Sequence, residues 1–301
     1  HLMAASWGVL WDGLHSTYSI DSDVAWKIDR FYYQTHALGA LNLALQTRDN
    51  MLELKPSTLV KDDGSITVHG RLSRGQGGQD NQDNNATLFM TANAYPLGPV
   101  MRVSGLPDIP GGMVFADMEI HANINDSDTI LQSTMGRMIG LVYLQEGGSV
   151  LTRGLSSILP EGIASLLPDL VQSCAIIGLD GDGASQYQSI GIISAPNAQM
   201  RIAGVIDGQD QSLQLTSEIA ASLGSLNLKL PISVVGPWTS PHFDTRALPG
   251  DAFRISDTQE KALLKSARAV TGGKYDTLTS CPGANLSAPV GSFTTQGTVT
   301  N

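Results

Sequence analysis

The chain has 301 residues, of which 15% are charged, and its formal net charge is -10 with a sequence pI of about 4.9. No cluster of Lys and Arg stands out, which argues against the electrostatic phosphate contacts on which nucleic-acid binding depends. No apolar stretch reaches the ~18 residues of a transmembrane helix, and the 32 glycines favour a β protein with many turns over a helical bundle.

Alternating apolar and polar residues predict strands in the first third of the chain. The sequence Asp62-Asp63-Gly64 predicts a tight hairpin before a strand that contains Ile66. Residues 74–85 include no apolar side chain and predict a long exposed loop. A strand at 87–94 follows, and four prolines between positions 96 and 110 predict an irregular connection. The apolar positions of the early runs are Tyr18, Ile20, Val24, Trp26, Ile28, Leu41, Leu43 and Leu45.

The central residues, 112–170, change from a strand period to a helix period. Residues 114–124 alternate apolar and polar side chains, which predicts a strand with one apolar face. A short helical turn at 129–135 and a second strand at 137–144 follow. After Gly148 the apolar residues recur at spacings of three and four, which predicts an amphipathic helix. Its apolar stripe consists of Leu155, Ile158, Leu159, Ile163, Leu166, Leu167 and Leu170.

This predicted helix is expected to seal one end of the sheet. Pro160 and Pro168 would bend it, which suits a helix that follows a curved surface. Its few charges, Glu161 and Asp169, are acidic, whereas a helix that lies on an anionic membrane usually carries Lys and Arg. We therefore expect a plug that packs on the sheet, with a mobile lid as the alternative.

The last third of the chain again predicts strands. Short runs occur at 173–179 and 190–193, and Met200, Ile202 and Ile206 alternate with polar or small residues. Further runs follow at 213–219 and 226–230, and residues 231–237 are predicted as the last strand. Ser256 and Gln259 form a capping box that opens a helix ending near Val270. The Ser/Thr/Gly-rich tail from 272 to 301 is predicted to be irregular.

No pattern in the sequence predicts catalytic chemistry. The six histidines are dispersed, and no HExxH, CxxC, Walker or GxSxG motif is present. His121 alternates with acids on a polar strand face and is expected to be solvated, and residues 180–183 are expected to form a turn rather than a calcium loop. Cys174 and Cys281 are either a disulfide pair or unrelated, and an inert buried thiol at Cys174 is favoured. We predict no catalytic residue, no cofactor and no metal.

The strand patterns allow two interpretations. In the first, an ordinary β-sandwich buries its apolar faces against each other. In the second, one curved sheet leaves its apolar face free for an apolar ligand. Periodicity alone does not separate them.

A set of short motifs, in a defined order, resembles the C-terminal region of the AsmA-like family. The motifs cover residues 10 to 255. The early ones are hairpins of the form "L-x-L-x-P" and "G-x-hydrophobic-x-G", and the last is a closing strand of the form "P-hydrophobic-G-x-W/F-x-x-P-x-F". They correspond to LELKP at 52–56, GSITVHG at 64–70, MGRMIGLV at 135–142, EGGSV at 146–150 and PISVVGPWTSPHF at 231–243.

The resemblance implies a mainly β protein, a curved antiparallel β-groove (β-taco-like) with two amphipathic helical elements. One elongated domain would span residues 1–271, with its core at 10–255 and a C-terminal helix at 256–271. The 74–85 loop would be an insertion, and the 272–301 tail has no counterpart in the family. We expect the groove to be lined by Val114, Met118, Ile120, Ile124, Met138, Val142, Met200, Ile202 and Ile206.

The resemblance further implies a periplasmic protein that binds or transfers lipid and supports outer-membrane lipid homeostasis. Its ligand would be a phospholipid or another acyl lipid, and no nucleic acid is expected. An upstream segment would anchor the whole protein in the inner membrane, and outer-membrane assembly proteins would be further partners. One alternative is a non-catalytic outer-membrane assembly or structural factor. A third is an enzyme that uses a carboxylate pair, for example on glycans.

Overall fold

The structure, a computed structural model, describes residues 21–48, 51–73, 85–103, 112–123, 134–144, 173–183, 186–195, 198–223, 226–237, 240–244 and 255–271. Thirteen strands form one sheet in which every strand pairs antiparallel with the next strand along the chain. The strands and two helices are β1 (Ser22–Tyr33), β2 (His36–Arg48), β3 (Met51–Lys61), β4 (Gly64–Ser73), β5 (Asn85–Pro96), α1 (Leu97–Val103), β6 (Met113–Asn123), β7 (Met135–Leu144), β8 (Ser173–Asp182), β9 (Gln186–Ala195), β10 (Ala198–Asp207), β11 (Ser212–Leu223), β12 (Leu226–Pro237), β13 (His242–Asp244) and α2 (Asp257–Val270).

The predicted fold class is confirmed, because the structure is mainly β with one open, curved antiparallel sheet and, among the described residues, two short helices. Of the two predicted helices, the described residues include only the C-terminal one, α2. The hairpin at Asp62-Asp63-Gly64 joins β3 to β4, with Asp62 at a φ of 53°. The capping box is present in both directions, since Ser256 accepts from the Gln259 backbone and Gln259 accepts from the Ser256 backbone. The predicted helix at 155–170 lies outside the described residues, as do residues 129–133 of the helical turn predicted at 129–135. The end of that predicted turn is wrong, because Met135 begins β7.

Several predictions of local structure were wrong, including the turn expected at 180–183, where residues 180–182 continue strand β8. The α1 helix stands where the prolines predicted an irregular connection, and Pro99 is tolerated because it lies in the first turn, where an N–H has no helical partner. Residues 226–237 form a single strand, and β13 follows the strand that was predicted to be last. Cys174 is buried as expected, but it is disulfide-bonded rather than an inert thiol. The only other cysteine in the sequence, Cys281, lies outside the described residues.

The strand register separates the side chains into two faces. Directly opposed residues of an antiparallel pair lie on the same face, so each row of partners can be followed from strand to strand. One such row runs through Val114, Val142, Ala175, Ile193 and Met200. The alternate residues belong to the other face.

The sheet curves around the face that carries this row. Tyr95 of β5 donates a hydrogen bond from its hydroxyl to the carbonyl oxygen of Leu38 in β2. In a flat sheet three strand spacings, roughly 14 Å, would separate these strands, which is more than a tyrosine side chain can span. The α1 helix also contacts β2 while Leu97 packs on Val114 and Val142. We call this side the concave face and the opposite side the convex face.

The best-packed core lies on the convex face, beneath α2. Phe115 and Leu141 are fully buried, and the helix contributes Leu263 and Ala267 from above. Ile176 and Ile192 complete this cluster at 3% and 1% exposure. The helix lies across β6, β7 and β8. An ion pair joins it to β10, with Arg201 Nε 3.2 Å from Glu260 Oε2.

Candidate functional site

The concave face brings together the described residues that were predicted to line a groove. Val114, Val142 and Met200 lie in one cross-strand row, and Met118 lies directly opposite Met138. The remaining predicted residues occupy the same face two or more positions along their strands, and Ile124 lies outside the described residues. The described members, all half-buried, are Val114, Met118, Ile120, Met138, Val142, Met200, Ile202 and Ile206.

The strand register places the charged side chains of the strands on the opposite, convex face. From β4 to β12, every Asp, Glu, Lys, Arg and His of the strands occupies a position of the convex face. A row of partners shows the pattern: Glu119 lies opposite Arg137, and Arg137 lies opposite Asp180. The convex set is His69, Arg71, Asp117, Glu119, His121, Arg137, Asp180, Asp182, Arg201, Asp207, Glu218 and Lys229.

The middle of the concave face contains unfilled space. Gly140 lies on this face, opposite Ala116 on one side and Ile177 on the other. A Cβ atom added to Gly140 would meet nothing within 4 Å. Ile177 itself remains 38% exposed. Gly140 therefore faces open space between apolar neighbours in the described part of the chain.

One end of the concave face is closed. Leu97, which is 5% exposed, packs on Val114 and Val142 together with Met101 of the same helix. Tyr95 lies beside this helix and is 1% exposed, and burial, followed by the negative charge of Asp62, raises the pKa of Tyr95 to about 12. Along β6, Ile120 is six residues beyond Val114, or roughly 20 Å at the strand rise. The α1 helix therefore closes only one end of the face.

The burial of the concave face is uneven. Ile219 in β11 and Ile232 in β12 are 5% and 2% exposed. The residues nearer the centre of the sheet, such as Met118 and Met138, are only half-buried. The concave face is therefore closed at β11 and β12 and more open at Met118 and Met138.

The convex face carries a recess of about 740 Å³ between α2 and the strands β5 to β9, with both charged and apolar walls. Its walls include Asp117, Glu119 and Arg137 on the sheet side and Gln259 and Ser266 on the helix. This recess was not predicted from the sequence, because its residues come from strands far apart in the chain and from the C-terminal helix.

Glu119 is the best-connected acid of this recess. Its carboxylate lies 3.0 Å from His121 Nε2 and 3.2 Å from Arg137. The hydrogen bond with His121, assisted by the charge of Arg137, holds the pKa of Glu119 below its usual range. His121 also contacts Thr87 and the edge of the Phe89 ring, so it is not simply solvated as the sequence suggested. A carboxyl held in the ionised form suits ion pairing better than general-acid catalysis, which needs a raised pKa.

The described part of the chain contains neither a membrane-spanning helix nor a group of metal-binding side chains. No helix there is both long enough and apolar enough to cross a membrane. No group of three or more His, Cys, Asp or Glu among the same residues is arranged to hold a metal ion.

Comparison with known proteins identifies no relative of this chain. No protein-family model matches the chain, and neither a curated protein nor a solved structure matches it.

Proposed function

We propose that this chain is a lipid-binding module that holds the acyl chains of a phospholipid, or of another acyl lipid, against its concave face. One observation carries the proposal: the concave face is apolar and uncharged from β4 to β12, while the tightest core lies on the other face. An apolar surface that remains partly accessible is a candidate site for an apolar ligand.

The energetics favour a carrier without any reactive group. Each buried methylene contributes about 0.8 kcal/mol, so about ten methylenes contribute on the order of 8 kcal/mol before the loss of ligand freedom is subtracted. The open space beside Gly140 and the exposed side chain of Ile177 offer such a surface. The charged residues of the convex face remain in water and add no desolvation cost to binding.

The proposed setting is the periplasm, where the chain would act as an AsmA-type lipid-transfer module that supports outer-membrane lipid homeostasis. The ordered motifs of the sequence support this assignment. The disulfide at Cys174 supports it independently, because structural disulfides persist in oxidising compartments and are rare in the cytosol.

The test is native mass spectrometry of the protein purified from lipid-containing cells, followed by lipid extraction. We expect masses that correspond to bound acyl lipid, and strong loss of these masses in Met118→Asp and Ile202→Asp. Both residues are half-buried on the concave face, so the variants should melt within a few degrees of the wild type.

Gln214→Asp is the matched control, since Gln214 is exposed on the convex face of β11. It should retain the wild-type amount of lipid. The proposal is wrong if the wild type carries no acyl lipid and takes up none from phospholipid vesicles, or if the concave variants lose lipid only because they unfold.

A further inference from the structure

The two edges of the sheet differ in how well they are protected against pairing with another chain. The edge strand β13 has three residues and pairs only with Ser233, Val234 and Val235 of β12. Pro237 ends β12 nearby. Short strands and prolines are the usual means by which proteins protect a sheet edge. At the opposite edge, β1 has twelve residues, and no strand of the described chain pairs with its outer side.

The longer edge strand, β1, is also where exposed apolar side chains concentrate. Eight large hydrophobic side chains are exposed among the described residues, and four of these belong to β1. Isolated exposed hydrophobic residues are common, but such a concentration on one strand marks an interaction surface. The four are Trp26 at 47%, Ile28 at 38%, Tyr32 at 50% and Tyr33 at 43% exposure.

The charges of β1 are not matched by their neighbours within the sheet. Asp23 lies directly opposite Gln46, and Lys27 lies directly opposite Asn42. Both charged side chains are exposed on the convex face. An acid and a base four residues apart, each opposite a neutral amide, can complement the same pair in a second antiparallel copy of the strand.

We propose that β1 pairs antiparallel with β1 of a second copy of this chain, so that two sheets join into one. The symmetric arrangement follows from the difference between the edges. A head-to-tail contact would place the twelve residues of β1 against the three residues of β13, which leaves most backbone groups of β1 unpaired. A two-fold contact instead pairs the same segment of β1 in both copies and closes the assembly at two copies.

The register of this pairing follows from the faces and the charges. The pairing of β1 with β2 is regular from Ser22 to Ile28 and is interrupted beyond that point. A two-fold axis at Ala25, the middle of this regular segment, places Asp23 opposite Lys27 of the second copy, twice. It also places Val24 opposite Trp26 of the second copy, so that apolar side chains meet on the concave side.

Neighbouring registers are less favourable. An axis at Trp26 places Asp23 opposite Asp29, and an axis at Lys27 places the two Lys27 side chains opposite each other. Like charges that are directly opposed destabilise a strand pair. An axis at Val24 leaves Ile28 beyond the regular paired segment. The Ala25 register alone pairs the whole regular segment and matches the charges within it, although just outside the segment it places Asp21 opposite Asp29.

Cysteine cross-linking tests the register. In Ala25→Cys the two introduced sulfurs lie directly across the two-fold axis, where opposed Cβ atoms are about 4.5–5.5 Å apart. Mild oxidation should therefore give a covalent dimer on a non-reducing gel. Lys27→Cys is the control, because the two introduced residues would be offset by four positions, roughly 13 Å. It should remain a monomer on the same gel.

Sedimentation equilibrium with charge variants tests the pairing itself. Lys27→Asp should raise the dimer dissociation constant by about tenfold, because two acid–base pairs become acid–acid pairs. The double variant Asp23→Lys with Lys27→Asp should restore dimerisation. Circular dichroism checks that each variant is folded, and both positions are exposed. A wild type that is monomeric at all concentrations overturns the proposal. So does a dimer that Ala25→Cys fails to cross-link, or one that the double variant fails to restore.

Discussion

The two faces of this sheet are built from the same strands but use their apolar residues differently. On the convex face, Ile176 is 3% exposed and packs in the cluster that α2 covers. On the concave face, the next residue of the same strand, Ile177, is 38% exposed beside the open space at Gly140. The comparison separates two environments of apolar side chains: Ile176 lies in a closed cluster, whereas Ile177 remains open to solvent.

The largest expected effect separates these two isoleucines. We expect Ile176→Ala to lower the free energy of unfolding by about 2–5 kcal/mol, because it leaves a cavity in a closed core. Ile177→Ala in the same strand should cost less than about 1 kcal/mol, because its side chain is already partly in water. Urea unfolding of both variants measures the difference. Equal losses would mean that both faces are core and would remove the basis of the comparison.

A second, smaller effect is expected from two glycines, one on each face. A Cβ atom on Gly178 would lie 3.0 Å from Leu263 Cδ1 of α2, whereas the same atom on Gly140 would meet nothing. Gly178→Leu should therefore destabilise the protein by about 1–3 kcal/mol through overpacking. Gly140→Leu should leave stability unchanged or slightly increased, since glycine weakens a strand interior.

The same pair of variants also distinguishes the faces by ligand content. Gly140→Leu should reduce the acyl lipid that co-purifies with the protein, because the new side chain occupies the open space. Lipid extraction measures the bound lipid, and thermal melts measure the stability of the same variant. If Gly140→Leu carries as much lipid as the wild type, the ligand does not use the open space beside Gly140.

Much of the fold could be predicted from local patterns. The alternation at 114–123 assigned Met118 and Glu119 to opposite faces, and the structure places them so. The capping box at Ser256 also depends only on residues within one helical turn. Such signals are reliable because a period of two, or a single turn, is decided by neighbouring residues.

The predictions that failed depend on contacts distant in sequence. The α1 helix has only seven residues and is supported by the packing of Leu97 on strands β6 and β7, which no local signal reveals. The sequence was predicted to end one strand at residue 230 and to begin another at Pro231. Pro231 instead lies inside β12, at a position that does not pair with β13, where a missing N–H is tolerated. The recess beside α2 likewise combines β5 to β9 with a helix that follows all the strands.

The smallest expected effect concerns acid titration, and it should appear on the convex face alone. The folded-state pKa of Glu119 is lowered, first by its hydrogen bond with His121 and then by the charge of Arg137. The resulting stabilisation is present above the carboxyl's unfolded-state pKa, and it is lost as the pH falls through the lower, folded-state pKa. His121→Leu should therefore raise the pKa of Glu119 toward its ordinary value, and Arg137→Gln should raise it less.

NMR titration of the Glu119 carboxyl carbon measures both shifts, and an unchanged pKa in His121→Leu would contradict the assigned cause. Lipid content over the same pH range then extends the comparison to the concave face. From β4 to β12 no carboxylate and no imidazole of the strands occupies a concave position. The amount of acyl lipid held by the wild type should thus stay constant while Glu119 titrates, because binding there depends on apolar contact and not on charge.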